Sequence, residues 1–87
     1  MLETDSPWCD VRPEHYGHKY LTAGSQFPTR APEKWQEGHC VKRRTEPCHI
    51  GQVLDVVAGA LCGGDGCSRE EVGHACYENA RRMFFPP

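Results

Sequence analysis

The sequence predicts an α/β chain in which a short opening strand is followed by a long loop and two to three terminal helices, so that helix and loop predominate. Three observations carry this. Residues 1–5 alternate, with Met1, Glu3 and Asp5 on one side and Leu2 and Thr4 on the other, which is the period of a strand. Residues 6–46 show no period, having prolines at 7, 13, 28 and 32, glycines at 17, 24 and 38, and aromatics at 8, 16, 20, 27 and 35. Beyond them, apolar residues return at three- and four-residue steps, the spacing of a helix face.

The strand over 1–5 ends where Ser6-Pro7 breaks it. It needs partners, because a lone strand cannot satisfy its own backbone groups. The 6–46 segment reads as loop, and a loop of that length in a compact domain is functional or packs against something else. Within it, Pro32-Glu33-Lys34-Trp35-Gln36 suits one helical turn with proline in first position. A helix is expected over 47–61, where Ile50, Val53, Leu54, Val57, Ala60 and Leu61 form the apolar stripe and Pro47 is tolerated in the first turn. Cys62-Gly63-Gly64-Asp65-Gly66 stops it. Ser68-Arg69-Glu70-Glu71 is a capping box that starts the terminal helices over 68–85. Val72, Ala75, Cys76, Ala80, Met83 and Phe84 give these an apolar face, Asn79 marks a bend or break between two short helices, and Phe85-Pro86-Pro87 ends the run.

Length and composition bound the rest. Eighty-seven residues, 38% of them hydrophobic, with a mean hydropathy of -0.67, leave room for one unit with a thin core, since a chain of this size buries only about 60–65% of its unfolded surface. The net charge of -2, with ten Lys and Arg nearly balancing twelve Asp and Glu, says little about partners, but charge is distributed unevenly. Lys42, Arg43 and Arg44 adjoin His39 and His49, and Arg81 pairs with Arg82 in sequence; each cluster suits phosphate or a solvated face. No run approaches the roughly 18 apolar residues of a membrane span, and residues 1–5 carry no leader pattern. The expectation is an intracellular protein, nuclear or cytoplasmic, without a membrane partner.

Six cysteines, at 9, 40, 48, 62, 67 and 76, are expected to be free thiols in that setting rather than the three-disulfide framework of a secreted miniprotein. For zinc, Cys62, Cys67 and Cys76 stand beside His39-Cys40, Cys48-His49 and His74. Only Cys62 to Cys67 has the spacing of a close knuckle. Scattered thiols are therefore expected, with a small non-enzymatic module that binds nucleic acid or protein, zinc-stapled in one form, as the alternative reading of the whole chain.

Asp5, at the end of a strand and followed by Ser-Pro, stands where a parallel α/β barrel displays a catalytic carboxylate; a turn or cap residue is the other reading. The order of segments adds a resemblance. Met1-Leu2-Glu3-Thr4-Asp5-Ser6-Pro7-Trp8-Cys9, Phe27-Pro28-Thr29, Lys34-Trp35, Gly38-His39-Cys40, Glu46-Pro47-Cys48-His49-Ile50 and Asn79 to Phe85-Pro86 together resemble the C-terminal part of TatD-type metal-dependent deoxyribonucleases, closest to the eukaryotic TatD DNase domain-containing branch. The resemblance covers essentially the whole chain. It implies a C-terminal fragment of a TIM (β/α)8 barrel, in which 1–5 is the last strand and 6–46 the active-site-side loop.

The resemblance further implies a divalent-metal-dependent phosphodiester hydrolase of 3'-5' exonuclease type acting on DNA. Asp5 is then the catalytic and metal-site residue, binding an ion of the Mg or Zn class or taking the proton of the attacking water, because phosphodiester hydrolysis needs a hydroxide-like nucleophile and cations beside the phosphoryl oxygens. Lys42, Arg43 and Arg44 fall where relatives carry a basic run and are expected to bind DNA phosphate; Thr45 stands where Asn is usual. Trp8 offers a stacking surface to a base, with packing under the loop as its other reading. Glu3, Pro7, Glu46, Pro47, Asn79 and Phe84 match structural motif positions, Asn79 tying down a helix junction and Phe84 packing the last helix on the barrel. The family's other ligands, an H-x-H pair on the first strand and then a Glu and two His, lie on earlier strands, so no His here is carried over as a ligand. A barrel takes roughly 250 residues. The chain is therefore expected to be inactive by itself, as a truncated gene product, an isoform or a degenerate copy.

Overall fold

The computed structural model describes residues 1–63 and 68–87. Its first long element begins at Glu46, the cap of a 3-10 turn over Pro47–His49. Proline suits that first turn because its missing N–H would have no helical partner there. Glu46 and His49 cap each other: the Glu46 carboxylate accepts the His49 N–H, and His49 Nδ1 accepts the Glu46 N–H at 2.9 Å. The turn runs directly into helix α1, Ile50–Cys62. Gly63 ends α1 in the left-handed region, with φ of 54° and its N–H on the Gly59 carbonyl, a conformation glycine adopts without steric cost. The Gly64, Asp65, Gly66 and Cys67 part of the expected stop lies outside the described residues.

Helix α2 spans Arg69–Phe84. The Ser68 hydroxyl accepts the Glu71 N–H at 3.2 Å, which supplies the Ser68 half of the anticipated capping box. Glu70 and Glu71 in the first turn and Arg81 and Arg82 in the last both complement the helix dipole. The bend or break expected at Asn79 is absent. Asn79 is exposed and α2 runs through it unbroken; a side chain that reaches water does not compete with the backbone ladder.

Two further expectations are corrected. Residues 1–5 do not form a strand. No strand among the described residues pairs with them, and an unpaired extended segment leaves its backbone groups to water. The ladder that does form is short and lies within 6–46: β1, Thr29–Arg30, pairs in parallel with β2, Cys40–Val41, with Thr29 opposite Cys40 and Arg30 opposite Val41. The rest of 6–46 is more ordered than an irregular loop, with 3-10 turns at Tyr16–Tyr20, Ala23–Ser25 and Pro32–Lys34.

This segment is ordered because it docks on α1. The Tyr16–Tyr20 turn approaches so closely that a Cβ on Gly59 would lie 2.2 Å from Tyr20 Cδ1, and one on Gly17 would lie 2.6 Å from Val56 Cγ1. No residue but glycine fits either place without displacement. Beneath the turn the buried side chains are mostly polar. Ala58 is the one buried hydrophobic residue among those described, whereas Ser25, Thr45, His49 and Asp55 are all buried.

Asp55 is the centre of this packing. Its side chain has no exposure, and it accepts from the Ser25 hydroxyl at 2.5 Å, the Thr22 N–H at 2.9 Å and the Thr22 hydroxyl at 3.0 Å, while the Arg69 guanidinium pairs with its other oxygen. Burial pushes the Asp55 carboxyl up, but the bonds from Ser25, Thr22 and Arg69 together outweigh it and hold the group below the ordinary carboxylate value. The expected stripe of α1 is accordingly rotated. Asp55 and Ala58 face inward, while Ile50 is 39% and Leu61 71% exposed, because a buried carboxylate must stay with its donors.

The molecule is thin, with principal extents of 45 × 33 × 19 Å and a radius of gyration of 14.5 Å, against about 12 Å for a compact chain of this length. Its accessible surface of 6469 Å² exceeds the roughly 5,200 Å² of a monomeric protein of the same mass. Met83, Phe84 and Phe85 contribute to that excess.

Removing the Asp55 carboxylate leaves Thr22 and Ser25 without an acceptor, while half-exposed Arg69 regains water. Asp55→Ala is therefore expected to destabilise the chain by about 2–4 kcal/mol at pH 7, read from urea unfolding. A folded-state value below the unfolded one means that this stabilisation is present above about pH 4 and lost as pH falls through the folded value. The difference between parent and variant should shrink in acid.

Candidate nucleic-acid interface and carboxylate turn

Asp5 opens a tight turn. The Trp8 N–H donates to the Asp5 carbonyl at 3.0 Å across a cis Ser6–Pro7 peptide. Asp5 has φ of 55°, and Asp is one of the few residues that visit this region. Its carboxylate is exposed, and Oδ2 accepts from the Cys9 thiol at 3.6 Å. The hydrogen bond to Asp5 leads in raising the Cys9 thiol above its ordinary value, with desolvation and the charges of Asp5 and Asp10 adding to it, so Cys9 remains a protonated donor.

This turn is tied to the basic cluster. The Thr45 N–H donates to the Pro7 carbonyl at 3.1 Å. Just before Thr45, Val41 to Arg44 make a second turn, closed by the Arg44 N–H on the Val41 carbonyl at 3.3 Å, with Arg43 at φ 63°. Arg44 is paired with Glu46 at 2.9 Å. Lys42 and Arg43 are exposed and make no ion pair among the described residues.

An open groove of about 500 Å³ lies here, with Arg12, Thr29, Lys42, Arg43, Arg44 and Thr45 on its walls. Asp10 and Glu14 also line it, but Asp10 is neutralised by Arg12 at 3.1 Å. Thr45 is 5% exposed, and its Oγ1 has no hydrogen-bond partner. A buried hydroxyl without a partner costs stability.

The other expected positions are dispersed. Glu46 and Pro47 build the start of α1, and Pro7 supplies the carbonyl that holds Thr45. Glu3 and Asn79 are exposed, as is Phe84 at 56%. Trp8 is 69% exposed and is not packed under the loop. Asp5 by itself does not fit a divalent ion: no group of three or more ligating side chains among the described residues includes it, and a hard cation takes several oxygen ligands. The ligating side chains that do converge are Cys40, Cys48 and His49, whose spacing lacks the close knuckle sought in the sequence. Cys9, Cys40, Cys48 and Cys76 are free thiols, whereas the expectation of free thiols fails at Cys62, which is disulfide-bonded. Cys67, half of the anticipated knuckle, lies outside the described residues.

A carboxylate turn bonded to a basic groove is an arrangement suited to a phosphate-bearing ligand. Comparison with known proteins finds three relatives. The chain is 38% identical over 84 residues to "Deoxyribonuclease Tat-D" of Schizosaccharomyces pombe, a match covering 97% of this chain and 26% of that protein. It is 32% identical over 72 residues to "Deoxyribonuclease Tat-D" of Saccharomyces cerevisiae, covering 67% of this chain and 17% of the relative. A TATDN1 homologue of Encephalitozoon cuniculi matches at 30% over 60 residues, with 69% of this chain and 18% of the relative covered. No protein-family profile matches. The chain belongs to the TatD-type deoxyribonuclease family, and it spans about a quarter or less of the length of these relatives.

Arg43 holds a left-handed backbone that glycine adopts more readily. Arg43→Gly is expected to leave stability unchanged or to raise it by at most about 1 kcal/mol, measured by thermal unfolding. A clear loss would mean that the Arg43 side chain holds the turn.

Proposed function

We propose that this chain is the C-terminal segment of a divalent-metal-dependent deoxyribonuclease, in which it carries one carboxylate of the metal centre and a surface for the DNA backbone. The observation that carries the reading is the match to a deoxyribonuclease along 97% of the chain. Within that match Asp5, on its turn, and Lys42 to Thr45, at the groove, are linked through the Pro7–Thr45 bond. Asp5 is the catalytic and metal-site residue, acting with ligands supplied by the remainder of a TIM barrel. Lys42 and Arg43 neutralise DNA phosphates. Met83, Phe84 and Phe85 are covered by the barrel. The expected reaction is hydrolysis from DNA ends of 3'-5' type.

A lone carboxylate cannot hold the ion, so the 87-residue chain is expected to show no metal-dependent DNA hydrolysis. Reproducible degradation by the purified chain would contradict that. In a full-length protein carrying this segment, Asp5→Asn should lower turnover by at least about a hundredfold while sparing the fold; near-normal turnover with magnesium would remove Asp5 from the site. Replacing both Lys42 and Arg43 with Ala should weaken DNA binding regardless of sequence and reduce the slope of log affinity against log salt by about 2. An unchanged slope would place the phosphate elsewhere.

A further inference from the structure

We infer that Cys40, Cys48 and His49 form a binding site for a soft divalent ion of the zinc class, which staples β2 to the start of α1. Their ligand atoms all lie within 4.8 Å of one another. The ligands of a tetrahedral zinc, at about 2.0–2.3 Å from the metal, lie about 3.3–3.8 Å apart, so closure asks for a contraction of about 1.5 Å at most.

Separate elements deliver the three groups. Cys40 is placed by β2, its N–H bonded to the Pro28 carbonyl at 2.9 Å. Cys48 and His49 are placed by the capped turn Pro47–His49. Cys40 and Cys48 are both free thiols. His49 is buried, and the Phe27 ring stands edge-on to its imidazole at 5.3 Å, which gives the site an apolar wall. Two thiolates and an imidazole select zinc over magnesium or calcium.

The crowding has an electrostatic consequence. Burial, and then the neighbouring Cys48 and Glu46, push the Cys40 thiol up. Without a cation the Cys40 thiol stays protonated; a bound cation offsets its thiolate charge and releases that proton. Glu46 is not part of the converging group; its carboxylate already holds the His49 N–H and the Arg44 guanidinium. His49 Nδ1 accepts the Glu46 N–H, and ligation through that atom exchanges this bond for one to the metal. One neutral hydrogen bond is a small fraction of what a structural zinc contributes. The stapled stretch between the ligands contains Lys42, Arg43 and Arg44, so the ion would fix the groove's basic turn. The inference does not rest on the nuclease reading.

The test uses the whole purified chain, stripped of metal, protected from air and titrated with zinc and with cobalt(II). One equivalent of cobalt should bind with the intense thiolate charge-transfer absorption of a tetrahedral sulfur site, and zinc should displace it. Cys40→Ser and Cys48→Ser should each weaken zinc binding by at least about a hundredfold, whereas Cys76→Ser should not. Should a variant fail to fold, the cobalt spectrum of the parent decides. A cobalt spectrum lacking thiolate absorption, undiminished zinc binding in a folded double variant, or a Cys40–Cys48 disulfide with no metal bound would overturn the site.

Discussion

Everything the chain holds in place depends on one buried carboxylate. Asp55 joins the Thr22–Ser25 stretch to α1 and, through Arg69, joins α1 to α2. A structure with Ala58 as its buried hydrophobic residue among those described draws little from apolar burial. Hydrogen bonds to an ionised acceptor, which are stronger than neutral ones, do more of the work here than in an ordinary core. This dependence is costly in a particular way, because a buried charge stabilises only while every partner is present.

The groove follows from that arrangement. With 16–25 held on α1, β1 and β2 pair alongside, and the turn over 41–44 is presented next to the capped start of α1. The Pro7–Thr45 bond then brings the Asp5 turn to the same side. A carboxylate and a basic turn that are far apart in sequence thus share one neighbourhood. The thin shape and the exposed Met83, Phe84 and Phe85 fit a segment that packs against more protein, in keeping with a match to about a quarter of the S. pombe relative.

The helices were legible in the sequence because their signals are local. Pro47, Gly63 and Ser68 act within a few residues, and each stands where a helix starts or stops. The strand expected over 1–5 does not form for the opposite reason: alternation states that a segment can pair, and pairing depends on partners. Asn79 leaves α2 unbroken, since its tendency to break a helix acts only when its side chain turns back to the backbone. The inward face of α1 was hidden by its own apolar stripe. An Asp among Val53, Leu54 and Val57, sharing a face with Ala58 and Gly51, was the available sign. Its partners Thr22, Ser25 and Arg69 belong to other segments and give no local signal. The same holds for Cys40, Cys48 and His49, which β-pairing and a cap bring together across a spacing that matches no familiar knuckle.

The most direct measurement is amide hydrogen exchange along the whole chain at neutral pH, read at Thr22 and Thr45. The Thr22 amide is bonded to Asp55, and the Thr45 amide to Pro7. If the buried carboxylate holds segment, helix and groove as one unit, both amides should be protected to the same degree as those within α1. Exchange of Thr22 and Thr45 at unfolded-chain rates, with α1 still protected, would contradict it.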